Sequence, residues 1–307
     1  MKRMNYETFK DNLADLVSER LGEDYDVDVV SVRKNNGNLH DTLSILKKGT
    51  SVCPAIYLEP FYESLQLNGF RLDEIVDGIL KFYWDALPSG DADVEDLYNL
   101  NKVGRRIICR LVNSSLNRKL LADVPHKNFV NLAKVCCISL DGNAMGSCSV
   151  LIHKEHMEKL GLDEDTLFAL GEANTRRLCP VDFVALSQVV RDLKAATESS
   201  ALTKKDTELE ENMPLYVLTN KKRSYGAVWV TDKGVLKRIS EFLSDDFYIL
   251  PSSVHECMIV PRHLQNDVEQ LARMVTDINE EHVEPEEVLA DNVYCYHRID
   301  ESLEIAA

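Results

Sequence analysis

Residues 247–261 read FYILPSSVHECMIVP, and this stretch decides the predicted fold of the C-terminal part of the chain. Two apolar runs, 247–250 and 257–260, flank a polar segment. Apolar runs that are rich in aromatic and β-branched residues and bounded by turn residues predict strands. Pro251 cannot donate to a strand ladder and ends the first run. We therefore expect a tight antiparallel hairpin, and its tip carries Ser252, Ser253, His255 and Glu256.

The tip is the densest cluster of reactive side chains in the sequence, and it has two interpretations. Ser253, His255 and Glu256 suggest a nucleophile, a base and an orienting carboxylate. In an extended segment, however, the side chains of Ser253 and His255 lie about 6–7 Å apart, and Glu256 points to the other face. No nucleophile-elbow pattern is present either. We favour the structural interpretation, in which Ser252 and Ser253 stabilise a turn and His255 holds neighbouring backbone.

A second pattern, HKEH, begins at residue 153. At helical spacing His153 and His156 share a face, which is a weak candidate for a metal site because no further ligand lies nearby in the sequence. No cofactor motif occurs elsewhere. We therefore expect neither a bound metal nor another cofactor.

The charge balance limits the classes of partner. The chain has 307 residues, a formal net charge of −16 and a pI near 5.0. Binding of nucleic-acid phosphates needs clustered Lys and Arg, so we expect no nucleic acid as a partner, and no anionic membrane. Residues 263–291 contain nine Asp and Glu residues against Arg273 alone. A solvated helix face is the simple interpretation, and a docking surface for a basic protein partner is the alternative.

The cysteines and the hydropathy pattern predict a soluble cytoplasmic protein. None of the eight cysteines forms a CxxC pair, and most lie in apolar runs. This usage is typical of free thiols in a reducing compartment. The opening residues lack the apolar core of a signal peptide, and no apolar run reaches the length of a membrane span.

The order of predicted elements indicates an α+β fold with mostly antiparallel sheets, interspersed helices and two lobes. The first lobe covers residues 1–197, and a break near 88–100 would divide it into two subdomains. Polar residues 198–212 form the predicted linker, and an α+β unit follows over 213–307. An opening helix is predicted over 5–21, because Asn5 can cap its start, Gly22 can end it, and an apolar stripe at helical spacing joins Phe9, Leu13, Leu16, Val17 and Leu21. Other predictions are a hairpin from 129–140 and 145–152, and a strand over 225–230.

Several strings resemble an uncharacterised bacterial family of unknown function. They include NYETFKDNLADLVSERLGEDYDV from residue 5, LDEIVDGIL from residue 72 and VEPEEVLADNVYCYHR from residue 283. The most specific string is YILPSS-x-HE at the hairpin tip. The resemblance covers nearly the whole chain and implies a bacterial origin and a similar fold, without an activity or a site residue.

Because no complete catalytic motif is present, we expect a non-enzymatic binding or interaction protein. The alternative is a hydrolase-like enzyme with Ser253, His255 and Glu256 in its site. A further alternative is an acidic mimic of nucleic acid that inhibits a DNA-binding protein.

Overall fold

The structure is a computed structural model that describes residues 4–49, 53–86, 94–140, 149–196, 215–265 and 267–307. It has two compact units. One comprises Met1–Val103 with Leu140–Cys148, and the other comprises Gly104–Ser139 with Ser149–Ala307. Each unit is built from antiparallel sheets and helices, so the predicted α+β class is confirmed.

The first unit is a three-stranded antiparallel sheet, in the order β1-β2-β3, with helices packed on its apolar face. Short 3₁₀ helices cover Asn35–Gly37 and Val94–Tyr98. Its other elements are α1 (Tyr6–Leu21), β1 (Tyr25–Arg33), β2 (Leu39–Lys47), β3 (Ile56–Tyr57), α2 (Glu59–Leu67), α3 (Leu72–Ala86) and α4 (Leu100–Val103).

The opening helix is confirmed, together with the local signals that predicted it. The side chain of Asn5 caps α1 by accepting a hydrogen bond from the Thr8 N–H at 2.8 Å, which satisfies an end group of the helix. Gly22 ends the helix with a φ of 76°, a conformation that glycine adopts without strain. Phe9, Leu13 and Val17 of the predicted stripe are buried and pack against β2 and α3 in the core of this unit, and Leu16 and Leu21 are partly buried beside them.

The second unit contains two sheets. The smaller has the order β4-β6-β5 with β7 also paired to β6, and the larger has the order β13-β12-β10-β11-β9-β8. Short 3₁₀ helices cover Gly104–Arg106, Gly226–Thr231 and Arg262–Leu264. Its other elements are β4 (Ile107–Asn113), α5 (Arg118–Leu121), β5 (His126–Phe129), β6 (Leu132–Ser139), β7 (Ser149–Leu151), α6 (Lys154–Lys159), α7 (Glu164–Leu178), β8 (Val181–Ala185), α8 (Leu186–Ala196), β9 (Tyr216–Asn220), α9 (Lys233–Leu243), β10 (Phe247–Leu250), β11 (Cys257–Pro261), α10 (Val268–His282), β12 (Tyr294–His297) and β13 (Ser302–Ile305).

The predicted hairpin lies at the centre of the larger sheet. β10 and β11 pair antiparallel, with Phe247 opposite Pro261 and Leu250 opposite Met258. Strands β12 and β9 flank them on the two sides. Helix α10 packs Leu271 against the sheet face that carries Leu250. The two strands that carry the hairpin tip are therefore paired with neighbouring strands on both edges, which fixes the position of the tip.

One predicted strand is wrong. Residues 225–230 were expected to be extended, but Gly226–Thr231 form a buried 3₁₀ helix. The Asn220 side chain shapes the turn that precedes this helix, because it accepts a hydrogen bond from the Lys222 N–H at 2.9 Å and donates one to the Ser224 carbonyl at 2.7 Å. Such side-chain bonds to nearby backbone close a compact turn that competes with a strand.

Two predictions fall wholly or partly on residues that the structure does not describe: the domain boundary and the second hairpin. The linker at 198–212 lies there, so the boundary stays a prediction; the strands on either side of it, β8 and β9, pair in one sheet. The two strands of the second hairpin pair as β6 and β7, with Ser139 opposite Ser149, and residues 141–148 between them lie outside the described residues. Across the described residues, no helix is long and apolar enough to cross a membrane.

Candidate functional site

The hairpin tip is held on one side by the turn that follows β9. The His255 carbonyl accepts hydrogen bonds from the Gly226 N–H and from the Thr219 hydroxyl, both at 2.8 Å. The Ala227 N–H donates to the Val254 carbonyl at 3.3 Å. Gly226 makes this approach possible, because a Cβ there would lie 2.7 Å from the backbone carbonyl carbon of Thr219. The predicted strand is absent because its backbone bonds go to the hairpin tip.

On its other side the tip is held by residues 284–290. The Val254 N–H donates to the Glu287 carbonyl at 2.8 Å, and the Leu289 N–H donates to the Ser252 carbonyl at 2.9 Å. Ser253 also forms a β-bridge there. The tip is therefore fixed by backbone hydrogen bonds from two segments that are distant from it in the sequence, one on each side.

The imidazole of His255 links these two segments. Its Nδ1 accepts a hydrogen bond from the Tyr225 N–H at 3.1 Å, and its Nε2 lies 3.0 Å from Glu287 Oε1. A backbone N–H can only donate, so Nδ1 is the acceptor and the ring proton is on Nε2, facing Glu287. The rings of Tyr225 and His255 lie 4.9 Å apart, and the Arg110 guanidinium lies 3.4 Å from the centre of the Tyr225 ring. The ring is held at both nitrogens and on one face.

Tyr225 adopts a left-handed conformation to make this contact. Its φ is 54°, and that of Arg223 in the same turn is also 54°. Such values are uncommon for residues other than glycine and persist where surrounding contacts impose them. The hydrogen bond to His255 and the packing of Arg110 supply those contacts, so the turn and the hairpin tip depend on each other.

The structure does not bring the Ser253 hydroxyl to the His255 ring. Ser253 Oγ accepts a hydrogen bond from the backbone N–H of His255 at 3.1 Å, and Ser253 is buried. Ser252 is buried as well and contributes its carbonyl to the backbone contacts. Because the one lone pair of the neutral ring already accepts the Tyr225 N–H, the ring has no free site to take a proton from a serine.

Glu256 has a different environment from the two serines. Its carboxyl borders a cleft of about 320 Å³ that Arg223, His255, His282 and Glu287 also line. Burial raises the pKa of the Glu256 carboxyl and the Glu287 carboxylate adds to this effect, while the positive charge of Arg223 acts in the opposite direction. Among the described residues, no side chain donates a hydrogen bond to this carboxyl. Arg223 itself pairs with Asp182 at 3.1 Å.

The two candidate metal ligands are adjacent but are engaged with protein groups. His153 caps α6, and its Nδ1 lies 2.7 Å from an Asp123 oxygen. His156 Nδ1 lies 3.3 Å from the backbone N–H of His153, and the two rings are 5.6 Å apart. Within the described ranges, no three His, Cys, Asp or Glu side chains are grouped so that they could hold a metal ion.

The acidic segment forms α10 and the loop that follows it. Asp267 caps the helix by accepting the Gln270 N–H at 3.0 Å, and Leu271, Val275 and Asn279 face the interior. The opposite side is exposed to solvent. We name as the acidic face five exposed carboxylates of this side and of the following loop: Glu269, Asp277, Glu280, Glu281 and, in the loop, Glu284.

Several residues of the tip were not singled out from the sequence. The sequence indicates no role for Arg110, and it places Glu287 only within the acidic segment and Tyr225 only at the start of a predicted strand. Each contacts its partner across at least thirty residues of chain, and no local pattern records such a contact. The predicted reactive residues themselves are where they were expected, at the end of the hairpin.

The fold and the site define an α+β protein in which an internally hydrogen-bonded hairpin tip joins distant segments of the second unit. The chain belongs to the family of unknown function DUF5688, whose model matches residues 6–298, so the family resemblance is confirmed. No curated protein and no solved structure matches the chain.

Proposed function

We propose that the protein is a non-enzymatic binding protein and that the acidic face of α10 receives a basic partner protein. The observation that carries the non-enzymatic part is the hydrogen bonding of His255. Both of its ring nitrogens and the Ser253 hydroxyl are used within the fold. A serine nucleophile needs a base with a free lone pair beside it. At this tip the lone pair of the neutral His255 ring is already used by the Tyr225 N–H.

The charge distribution on α10 supports a basic partner. Among the described residues, no Lys or Arg forms an ion pair with Glu269, Asp277, Glu280 or Glu284. Like charges four residues apart on a helix, as in 277 with 281, destabilise an isolated helix by about 0.2–0.5 kcal/mol per pair. A cationic surface would relieve this repulsion and would be steered to the face at low salt.

Charge reversal tests this proposal against a matched control. The test variant carries Asp277→Lys, Glu280→Lys and Glu281→Lys on α10. The control variant carries Asp11→Lys, Asp15→Lys and Glu19→Lys, which are exposed residues of α1 and change the net charge equally. Both variants and the wild-type protein are immobilised, a cell extract is passed over them, and bound proteins are eluted with rising salt.

We expect a basic protein that binds the wild type and the α1 variant, is absent from the α10 variant, and elutes at moderate salt. Its direct binding is then measured with purified components. Equal binding to both variants, or no binding by the wild type, would refute the docking surface. If the partner is a DNA-binding protein and duplex DNA displaces it from the acidic face, the protein is an acidic mimic of nucleic acid.

One observation favours a hydrolase-like enzyme as a second candidate function. The half-buried Glu256 carboxyl has a raised pKa and borders a cleft, and enzymes hold general acids in this way. In that case Glu256, rather than a Ser253–His255 pair, would donate the proton to a leaving group. Ester, phosphate-ester and glycoside substrates test it: turnover by the wild type that Glu256→Gln abolishes would establish the enzyme and refute the binding proposal.

A further inference from the structure

Two cysteines face each other across neighbouring strands of the smaller sheet. Cys109 in β4 lies opposite Cys136 in β6, and their Sγ atoms are 3.9 Å apart. The Cys109 N–H donates to the Thr175 hydroxyl at 2.9 Å, and the Cys136 carbonyl accepts from the Ile152 N–H at 3.0 Å. Both backbone groups therefore point away from the opposite cysteine, which makes this a non-hydrogen-bonded pair of the antiparallel ladder.

The backbone spacing of such a pair suits a disulfide. Non-hydrogen-bonded pairs have Cα atoms about 4.5 Å apart, and disulfides span Cα separations of about 4.4–6.8 Å. The sulfurs would have to move from 3.9 Å to about 2 Å apart, which side-chain rotation provides. Gly171 of α7 leaves room for this movement, because a Cβ there would lie 2.8 Å from one sulfur and 3.0 Å from the other.

Both cysteines are buried, but they differ in acidity, and of the two it is Cys109 that borders a cleft. Cys109 lines a cleft of about 410 Å³, together with Lys134, Thr175 and Trp229. The hydrogen bond from the Cys136 thiol lowers the pKa of Cys109, and the Lys134 ammonium adds to this effect against the opposing burial. The same hydrogen bond raises the pKa of Cys136. Because the thiolate is the reactive form of cysteine, Cys109 reacts first.

We propose that Cys109 and Cys136 form a reversible disulfide when a hydroperoxide enters this cleft. The Cys109 thiolate attacks the peroxide, the O–O bond breaks, and the departing alkoxide takes up the proton that Cys109 released. The sulfur is then a sulfenic acid. Cys136 attacks this sulfur, the S–S bond forms, and the S–O bond breaks to release water with the Cys136 proton. Two thiols and one hydroperoxide thus give one disulfide, one alcohol or water from the peroxide, and one water.

The full-length wild-type protein tests the proposal. It is treated with a small excess of hydrogen peroxide, unfolded, and labelled with a maleimide. We expect the number of labelled thiols to fall by two from the eight in the chain. Tryptic peptides 107–110 and 135–154 should be joined, with fragment ions placing the bond on residues 109 and 136. Dithiothreitol should restore all the thiols.

Two alanine variants complete the test. In Cys136→Ala the crosslink should be lost, and Cys109 should be trapped by dimedone as the sulfenic acid. Cys137→Ala is the matched control, since residue 137 is adjacent on the same strand but faces the other side of the sheet, and it should still form the crosslink. Unchanged thiol counts in the treated wild type, or a bond mapped to other cysteines, would overturn the proposal. The peptide map of the oxidised wild-type protein tests the proposed disulfide even if a variant does not fold.

Discussion

Replacing His255 should destabilise the second unit, because the ring satisfies backbone of a distant turn. In His255→Ala, the Tyr225 N–H loses its acceptor in a partly buried position, which costs about 1–3 kcal/mol. The lost ring contact with Tyr225 adds about 0.5–1.5 kcal/mol. The pair with Glu287 is partly exposed and adds little. We therefore expect a loss of roughly 2–4 kcal/mol in the free energy of unfolding.

Tryptophan fluorescence can follow this unit alone. The chain has two tryptophans, Trp84 in the first unit and Trp229 in the second. Trp229 is buried, and its indole N–H donates to the Cys179 carbonyl at 3.0 Å. In a Trp84→Phe background, urea unfolding therefore reports on the second unit. With an m-value of about 2 kcal/mol/M, the midpoint should fall by roughly 1–2 M.

Two further variants separate the effect of the lost hydrogen bond from the effect of the smaller side chain. In His255→Asn the amide oxygen can occupy the position of Nδ1 and accept the Tyr225 N–H, so it should recover about half of the lost stability. His282→Ala is the control, because His282 borders the same cleft but is exposed and its nearest ion pair is 3.8 Å long. It should change stability by less than about 0.5 kcal/mol. An unchanged midpoint in His255→Ala would refute the anchoring role.

Four other substitutions have expected outcomes. Gly226→Ala should lower the unfolding midpoint by the equivalent of at least about 1–3 kcal/mol, because its Cβ would overlap the backbone beside it, whereas Gly78→Ala, in an open position of α3, should raise stability by about 0.5–1 kcal/mol. The hydrogen bond to Glu304 raises the pKa of His297. The stability that the protonated His297 adds to the fold is therefore complete below pH about 6.5 and is lost as the pH rises through the folded pKa. Between pH 5.5 and 8.5, the unfolding midpoint should fall less in His297→Gln than in the wild type. Burial raises the pKa of Glu256, so stability falls as the pH rises from about 4.5 through the folded pKa, and Glu256→Gln should have a higher midpoint at pH 7 than the wild type.

Local signals in the sequence predicted many of the elements. The cap at Asn5, the stripe of α1 and the paired apolar runs of the central hairpin each act within a few residues, and the structure confirms all three. The 3₁₀ helix over Gly226–Thr231 was predicted as a strand because its composition is apolar and β-branched. Its backbone partners lie near residue 255, and a long-range contact of that kind overrode the local preference.

The site was predicted as a set of residues but not as a geometry. Ser253 and His255 are close in sequence and meet through backbone, while the ring of His255 meets Tyr225 and Glu287 from distant segments. Which nitrogen accepts and which donates depends on those partners. The sequence contains the imidazole, but only the assembled fold determines what its two nitrogens bind.

The most direct test of the anchoring role is the tautomer of His255. Nitrogen-15 chemical shifts of labelled histidine distinguish a proton on Nδ1 from one on Nε2, and the His255→Asn variant identifies the resonance. At pH 8, where histidine is ordinarily neutral, we predict a single form with the proton on Nε2, because Nδ1 accepts the Tyr225 N–H. A proton on Nδ1, or a mixture of both tautomers, would contradict the account and leave His255 free to act as a base.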